Sequence, residues 1–455
     1  ASTFCSCLQS PVRRRRRGDG WLRTSEPGDC LETLAGLCPT TTTHISGALS
    51  RQEGGENCFL GDRAFRLWAT MKAAGGFGGV GISTVLAVLL ALSLVPELRA
   101  DWMRPGKWDA PKEIFDAESF FHTVTFEDLN EYDRGKKLGS GKYGTVQDCS
   151  NEKVREKEGD KAPLYVCKKL ETDREYKIMR EVKIMQQVQD GPNIIKLHGV
   201  ARRFLDGVKG QGIKKRKPRN ETALVLEKVN NMNYKKLYVL FEDKDVRYYL
   251  HELLVALAHV HSKGVMHRDV KPHNFVIDHE KKQLRLIDFG LSEWYNPGRQ
   301  YSLSVASRWY KSPEILAGVT TYDYAMDIWA VGCTMGAMIF QFTPFFEGDD
   351  DDDQLYKIIK IRGTKELMDW AHDAGVTIED DHLDLIHAHK DPFMRREFQE
   401  FVDEENQHLV SSEAFDLLEK LLTIDPRKRI TAQDALTHPY FDSIRSMVSE
   451  RPPPP

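Results

Sequence analysis

The side chains best suited to chemistry lie in one stretch near the middle of the chain, where residues 267–274 read H-R-D-V-K-P-H-N and residues 288–290 read D-F-G. Asp269 in the first motif is placed to accept a proton from a hydroxyl group or to orient it. Asn274 and Asp288 supply oxygens of the kind that Mg²⁺ prefers. This set suits phosphoryl transfer, which needs positioning and charge neutralisation more than covalent chemistry.

A second pattern suited to phosphate lies upstream, where residues 138–146 read L-G-S-G-K-Y-G-T-V. In a dinucleotide-binding unit a helix should follow such glycines. Here strand-like alternation continues through residues 145–149, which favours a hairpin that covers nucleotide phosphates. This glycine hairpin consists of Leu138, Gly139, Ser140, Gly141, Lys142, Tyr143, Gly144, Thr145 and Val146.

Two charged residues follow the glycine hairpin. Lys168 lies in the strand-like segment 165–170, and Glu181 lies in a segment where Ile178, Val182 and Met185 recur at helical spacing. Each charge alone would be interpreted as a surface residue. In this order after the hairpin they predict an ion pair that holds the α- and β-phosphates of a nucleotide.

Together these motifs resemble those of protein kinases, and the combination of H-R-D-x-x-x-x-N with D-F-G is highly specific. The resemblance implies a two-lobed α+β protein kinase fold over residues 132–441. A small, antiparallel β-rich lobe with five strands and one main helix would cover residues 132–226. A hinge would follow at 227–231, and a larger, mainly α-helical lobe would cover 232–441.

The same resemblance implies ATP, with GTP as an alternative nucleotide, and Mg²⁺ as cofactors. Lys271 would neutralise charge on the phosphoryl group in transit. The resemblance assigns catalysis to Asp269, Lys271, Lys168 and Glu181, metal binding to Asn274 and Asp288, and nucleotide contacts beyond the glycine hairpin to Lys168, Glu227 and Val229.

A finer resemblance is to the catalytic subunits of casein kinase II. It rests on stretches such as 191–195 (G-P-N-I-I), 266–274 and 405–411 (E-N-Q-H-L-V-S). Lys271, two residues after Asp269, is similar to the lysine of Ser/Thr-specific kinases rather than tyrosine-specific ones. The resemblance implies a Ser/Thr protein kinase whose partners are protein substrates.

Kinases of this family favour acceptors near acidic residues, which basic side chains close to the activation segment bind. Arg308 and Lys311 are assigned to this substrate contact. Ser304 replaces an expected basic residue, and Glu175 interrupts the basic set on the helix of Glu181. A weakened preference for acidic sites is therefore expected. The basic residues that remain on that helix are Arg174, Lys177, Arg180 and Lys183.

Several departures from the family pattern leave alternatives open. Phe289 stands where the family has Trp, and Gly144 stands where it often has Ser. Residues 308–311, R-W-Y-K, lie between the family's form and that of cyclin-dependent and dual-specificity kinases. The alternatives are a proline-directed or splicing-type relative, and a pseudokinase scaffold that binds partners without catalysis.

Two further segments bear on partners and regulation. Residues 104–109 are similar to the family's N-terminal stretch, which packs on the activation segment and implies activity without phosphorylation. The basic segment 207–220 lies near the family's docking surface for a regulatory subunit, which puts that partner in doubt. No specific nucleic acid is expected, because 64 Lys and Arg nearly balance 68 Asp and Glu over the 455 residues.

This composition, with a net charge of −4, also excludes a largely disordered chain, a collagen-like fibre and a polytopic membrane protein.

The N-terminal part of the chain differs from the rest. Residues 1–70 contain no Lys and no Met, and we interpret them as a poorly structured extension or as sequence upstream of a start at Met71. Residues 71–100 resemble a signal peptide, with an anchor as the alternative. Residues 101–131 would pack on the kinase, and 442–455 would form a tail.

The compartment follows from these alternatives. A genuine signal or anchor at 71–100 would place the chain in the secretory route or at a membrane, and otherwise the cytoplasm or nucleus is expected. Residues 214–217 resemble a nuclear import signal, whereas 220–222 form a glycosylation acceptor pattern that only the secretory route uses.

The remaining chemically distinctive residues are expected to be structural. Cys149, Cys167 and Cys333 are interpreted as isolated, buried small residues. Residues 349–353, five consecutive aspartates, are interpreted as a solvated loop. By resemblance, Asp327 would brace the 267–274 loop, and Glu314 would pair with Arg429.

Overall fold

The computed structural model describes residues 124–141, 144–159, 163–172, 174–205, 219–378 and 394–449. The predicted extension 1–70, the hydrophobic segment 71–100, residues 101–123 and the basic residues 207–218 lie outside this part of the chain. Within the described residues, no helix combines the length and the apolar character that a membrane crossing requires.

A six-stranded sheet forms the small lobe, in the spatial order β1-β5-β6-β4-β3-β2. The first strand pairs in parallel with β5, and every other pairing is antiparallel. The sequence predicts five strands, and the additional one is β1, whose two residues are too few to show a strand period. The strands are β1 (Glu127–Asp128), β2 (Tyr132–Gly141), β3 (Gly144–Asn151), β4 (Tyr165–Leu170), β5 (Leu197–Leu205) and β6 (Arg219–Glu227).

Two helices accompany this sheet, α1 (Glu152–Glu158) and α2 (Glu175–Val188). Helix α2 is the predicted main helix. Its buried face repeats at helical spacing through Ile178, Val182 and Met185, as the sequence predicts. The apolar face packs into the core and thereby fixes which way the charged residues of α2 point.

The large lobe is mainly helical and carries two small antiparallel sheets, β7 (Val265–Met266) with β10 (Glu293–Trp294) and β8 (Phe275–Asp278) with β9 (Gln283–Leu286). The mixed α+β class and the two-lobed arrangement predicted from the sequence are confirmed. Its helices are α3 (Tyr234–Tyr238), α4 (Asp243–Ser262), α5 (Pro313–Leu316), α6 (Ala325–Ile339), α7 (Asp351–Arg362), α8 (Thr364–Ala374), α9 (Ser412–Leu421), α10 (Ala432–Ala435) and α11 (Arg445–Ser449).

Short 3₁₀ turns connect these elements, and several of them shape the site described below. They lie at Leu129–Glu131, Pro272–Asn274, Phe289–Leu291, Arg308–Tyr310, Phe398–Phe401, Gln407–Leu409 and Pro439–Ile444.

Helix α6 is the centre of the large lobe, because all of its residues from Met326 to Ile339 are buried. A helix that is apolar on every side belongs inside a core. The predicted pair between Glu314 and Arg429 is confirmed beside it: the guanidinium binds both carboxylate oxygens, at 2.8 and 2.9 Å, and both side chains are at most 1% exposed. A buried bidentate pair of this kind holds α5 against the segment after α9.

The expectation that Cys149 and Cys167 are isolated is wrong. They form a disulfide between β3 and β4, with their Cα atoms 5.7 Å apart. The strand register places Cys149 opposite Tyr165 and Cys167 opposite Gln147, so the two cysteines are diagonal neighbours on one face. Their separation of 18 residues includes the unpredicted helix α1, and for that reason the register could not be derived from spacing alone. Cys333 is buried and has a free thiol, as expected.

This disulfide should stabilise the small lobe. Closing a loop of this length contributes about 3 kcal/mol to the free energy of unfolding, because it restricts the unfolded chain. Dithiothreitol should therefore lower the denaturant concentration at the unfolding midpoint, measured by fluorescence.

The control is the double variant Cys149→Ala and Cys167→Ala, which should unfold at the lower concentration with or without dithiothreitol. Equal midpoints for the oxidised wild type and the double variant would show that the bond contributes nothing.

Candidate active site

Lys168 is the centre of a buried charge cluster between the two lobes. Its Nζ lies 2.7 Å from Oε1 of Glu181 and 2.7 Å from Oδ1 of Asp288. Strand β4 presents Lys168 inward because the alternate residue Val166 faces the same side, and Lys168 itself is only 7% exposed. The structure therefore brings together three residues that the sequence selects from three separate motifs.

The electrostatics of this cluster favour the charged forms of Lys168 and Asp288. Burial alone would lower the pKa of Lys168, but the carboxylates of Glu181 and Asp288 outweigh it and raise the pKa above its ordinary value. Burial would raise the pKa of Asp288, but the Lys168 ammonium outweighs it, and the pKa of Asp288 lies below its ordinary value. The cluster is thus a lysine ammonium held between two carboxylates.

Gly290 allows this close approach of α2 to the segment after β9. A Cβ atom added at Gly290 would lie 3.2 Å from Oδ1 of Asp288 and 3.3 Å from Oε2 of Glu181. Those distances are tighter than ordinary carbon–oxygen contacts. A larger residue here would push the two carboxylates away from Lys168.

Asp269 is the centre of a second cluster, in the loop between β7 and β8. Its Oδ2 lies 2.7 Å from Nζ of Lys271 and accepts a hydrogen bond from Nδ2 of Asn274 at 2.8 Å. Its Oδ1 accepts from the hydroxyl of Ser307 at 3.1 Å, and Lys271 also donates to that hydroxyl at 2.6 Å. Asp269 is thereby fixed from three sides, and it is only 3% exposed.

Asp327, in the first turn of α6, holds the loop that carries Asp269. Its two carboxylate oxygens accept from the backbone N–H groups of His267 and Arg268, each at 2.8 Å, and one of them lies 3.0 Å from Nε2 of His261. The predicted bracing role is confirmed. Arg268 adopts a φ of 64°, an unfavourable conformation for a residue with a side chain, which this bracing sustains.

The charge of Asp327 persists in spite of its burial. Burial would raise its pKa, but the hydrogen bonds from His261 and from the His267 backbone outweigh it and hold the pKa below the ordinary value of 3.8. The stability that this charge contributes is therefore fully present above pH 3.8 and is lost only as the pH falls below that value.

The glycine hairpin is formed by β2 and β3, with Gly139 opposite Val146, Ser140 opposite Thr145 and Gly141 opposite Gly144. Leu138 precedes these pairs and is half exposed. Lys142 and Tyr143, at the tip, lie outside the described residues. The strand pairing agrees with a hairpin rather than a turn into a helix.

Gly144 is required by the close packing of β3 on β4. A Cβ atom at this position would lie 2.4 Å from the carbonyl oxygen of Lys169, which is too close for any side chain. The part of the hairpin next to its tip is thus held directly against the strand that carries Lys168.

The hinge, residues 227–231, begins at the end of β6. The carboxylate of Glu227 accepts from the backbone N–H of Lys196 at 3.0 Å and from Nε of Arg285 at 2.9 Å, and so joins the small lobe to β9. Val229 packs against the core, and its carbonyl accepts from the N–H of Asn231 at 2.9 Å. These contacts order the backbone that the sequence assigns to nucleotide contacts.

Arg308 and Lys311 lie next to the Asp269 cluster, in and after the 3₁₀ turn that follows Ser307. Both contact the aspartates at 349–353, and Lys311 Nζ lies 2.5 Å from Oδ2 of Asp351. The expectation of a solvated loop there is wrong in part: Asp349, Asp350 and Asp351 are exposed, but Asp351 begins helix α7 and Asp350 caps it by accepting from the N–H of Asp353. Aspartates in a first helical turn are stabilised by the helix dipole.

The expectation that Arg180 belongs to the basic substrate set is also wrong. Arg180 is 9% exposed and donates to Oε2 of Glu293 at 3.0 Å and to the carbonyl of Gly290 at 3.2 Å. Because α2 turns this face toward the segment after β9, the side chain is used within the protein. Arg174 and Lys177, on the outer face of the same helix, are exposed.

Ser307 is a residue of the site that the sequence did not reveal. No motif rule gives Ser307 a role. Its position directly before Arg308 is the one signal that could have placed it near the substrate. The contacts of Ser307 with Asp269 and Lys271 depend on the fold of the whole segment between β10 and α5.

Asn274 and Asp288 are the residues that could hold a metal ion. Asn274 donates both to the carbonyl and to the carboxylate of Asp269, each at 2.8 Å, so its Oδ1 is the atom left to face a cation. The described residues contain no group of three or more His, Cys, Asp or Glu side chains able to hold a metal. One amide oxygen and one carboxylate fit a hard cation that takes its other ligands from phosphate and water.

Replacing Asp327 by asparagine should destabilise the large lobe. Asparagine offers one acceptor oxygen where the carboxylate serves two backbone N–H groups and His261, and its NH₂ group would face another donor. We expect the free energy of unfolding to fall by about 3 kcal/mol, measured by urea denaturation. The exposed Asp133 in β2 provides a control, and Asp133→Asn should leave the midpoint unchanged. Equal midpoints for the two variants would contradict the bracing role.

A comparison with known families agrees with this geometry. The family described as "Protein kinase domain" matches residues 132–441, well over half of the chain. The match includes both charge clusters, the glycine hairpin and the Glu314–Arg429 pair. The chain therefore belongs to the protein kinase family, and its kinase domain implies phosphotransferase activity that uses ATP and a divalent metal on protein substrates.

Proposed function

We propose that this kinase is a serine/threonine kinase of the casein kinase II type that uses ATP with Mg²⁺. The observation that carries the acceptor specificity is the position of Lys271, which bridges Asp269 at 2.7 Å and Ser307 at 2.6 Å. This bridge brings the 307–311 backbone close to the Asp269 carboxylate. In a substrate peptide bound along that backbone, the hydroxyl of serine or threonine is one bond from the Cβ and can reach the carboxylate of Asp269. The hydroxyl of tyrosine lies farther from the Cβ by the length of the ring.

The roles proposed for the individual residues follow from their contacts. Asp269 accepts the proton of the acceptor hydroxyl or orients it, and Lys271 neutralises charge on the transferred phosphoryl group. Lys168, held by Glu181, binds the α- and β-phosphates. Mg²⁺, when bound through Asn274 and Asp288, supplies charge neutralisation at the phosphate oxygens.

Nucleotide binding completes the proposal. The glycine hairpin, from Leu138 to Val146, covers the phosphates with its backbone. The hinge backbone at Glu227 and Val229 contacts the base, and GTP remains an alternative nucleotide to ATP. The ordered contacts of Glu227 with Lys196 and Arg285 support a hinge whose backbone is already in place before the nucleotide binds.

The acceptor proposal is tested with three peptides that differ only in a Ser, Thr or Tyr acceptor. We expect transfer of phosphate from ATP to Ser and Thr, and none to Tyr. Asp269→Asn should lower kcat by at least about a hundredfold, because the residue that handles the hydroxyl proton is lost.

Asp133→Asn serves as the control and should retain wild-type kcat. Binding of ATP without transfer to any of the peptides would support a pseudokinase scaffold instead. Faster turnover of a peptide with Pro after the acceptor than of one with Asp would support a proline-directed or splicing-type relative.

Activity without phosphorylation is the regulatory part of the proposal. Arg268 donates to the carbonyl of Leu291 at 2.7 Å and to the hydroxyl of Tyr322 at 3.0 Å, and Arg180 pairs with Glu293. Arg180 is thus paired with a carboxylate of the protein, and Arg268 donates to two neutral groups of the protein. These contacts support a segment after Asp288 that needs no phosphate to order it. The sequence also assigns residues 104–109 to this ordering, and they lie outside the described residues. Binding to a regulatory subunit is the alternative form of regulation.

Treatment with a protein phosphatase should therefore leave the activity unchanged. The measurement is the initial rate of peptide phosphorylation before and after complete dephosphorylation, verified by intact mass. Glu293→Gln, which removes the carboxylate partner of Arg180, should lower the rate several-fold. Loss of all activity after dephosphorylation would refute the proposal.

A further inference from the structure

The aspartates at 349–353, called the acidic stretch below, contact the basic pair Arg308 and Lys311. Oδ2 of Asp351 lies 2.5 Å from Nζ of Lys311, and Oδ1 of Asp351 lies 3.9 Å from Nε of Arg308. Arg308 also donates to the backbone carbonyl of Asp349. The two basic side chains proposed to contact the substrate are therefore already engaged within the chain.

The contact is held in place from both sides. Asp351 is the first residue of α7, where the helix dipole favours a negative charge. Trp309, between the two basic residues, donates from Nε1 to the carbonyl of Gly348 at 3.1 Å. The side chain of Lys311 is 12% exposed, whereas that of Asp351 is 52% exposed. The carboxylate thus lies on the outer side of the lysine, where a substrate anion would have to approach.

The location of this pair relative to the reacting centre follows from Ser307. Its hydroxyl donates to Oδ1 of Asp269 at 3.1 Å, so an acceptor that reaches Asp269 lies beside Ser307. Arg308 and Lys311 follow Ser307 in the chain, so a substrate that continues past the acceptor on this side meets their charges and that of Asp351.

We propose that Asp351 is a specificity-determining residue, whose carboxylate neutralises Lys311 and so suppresses selection for an acidic residue directly after the acceptor. This inference rests on the proposed Ser/Thr kinase function. It identifies the physical source of a weakened acidic preference. A substrate carboxylate must compete with the Asp351 carboxylate for Lys311.

The test measures kcat/KM for two serine peptides that differ only in Asp or Ala after the acceptor. The quantity compared is the ratio of the Asp peptide to the Ala peptide. Asp351→Asn should raise this ratio about fivefold over the wild type, the size expected for one partly exposed ion pair. Asp351→Glu, which keeps the charge, should stay close to the wild-type ratio.

Asp349→Asn is the matched control. It removes the same charge two residues away while the contact of Asp351 with Lys311 persists, and its ratio should remain that of the wild type. Adding Lys311→Met to Asp351→Asn should abolish the gain, because the released cation is then absent.

Three outcomes would overturn the inference: an unchanged ratio in Asp351→Asn, an equal rise in Asp349→Asn, or a gain that survives Lys311→Met. The failure of the proposed function is distinguishable from these, since in that case the wild type phosphorylates neither serine peptide, and the inference falls with it.

Discussion

The carboxylate of Asp327 is the constraint on which the active site depends. It is buried at the start of the central helix α6, and its two oxygens hold consecutive backbone N–H groups of the loop that carries Asp269. The core of the large lobe fixes α6, α6 fixes Asp327, and Asp327 fixes the loop. The position of Asp269 therefore depends on the apolar packing of the core, which is the most rigid part of the molecule.

The two charge clusters share one design. In each, a lysine is held by acidic partners: Lys168 by Glu181 and Asp288, and Lys271 by Asp269. A buried ammonium is tolerated because its partners are close. Because the charges are paired before any ligand arrives, little reorganisation is required at the moment of reaction.

The parts of this site that could be predicted from sequence are those where chemistry imposes residue type and spacing. The loop from 267 to 274, the D-F-G motif and the Lys168–Glu181 order are of this kind, and the helix and strand periods around them are strong enough to place them. Fold class follows from the same motifs. The acidic preference and the residues of a regulatory interface depend on surface charge, which spacing does not determine.

The features that the sequence did not predict depend on contacts between distant segments. The Cys149–Cys167 bond requires a strand register set across an unpredicted helix. The buried state of Arg180 requires a partner, Glu293, far along the chain. The charge of residues 349–353 alone predicts a solvated loop, but Asp350 caps the helix that begins at Asp351. In each case tertiary packing overrides a local tendency.

The disulfide between β3 and β4 has a mechanical consequence for the glycine hairpin. It holds the two strands together at Cys149 and Cys167, and Gly144, packed against the carbonyl of Lys169, keeps them close at the other end of their pairing, next to the tip of the hairpin. Strand β3 of the hairpin is thereby fixed to β4 at both ends. A displacement of β3 would therefore also displace the strand that carries Lys168, so the position of the hairpin and the position of the lysine are coupled.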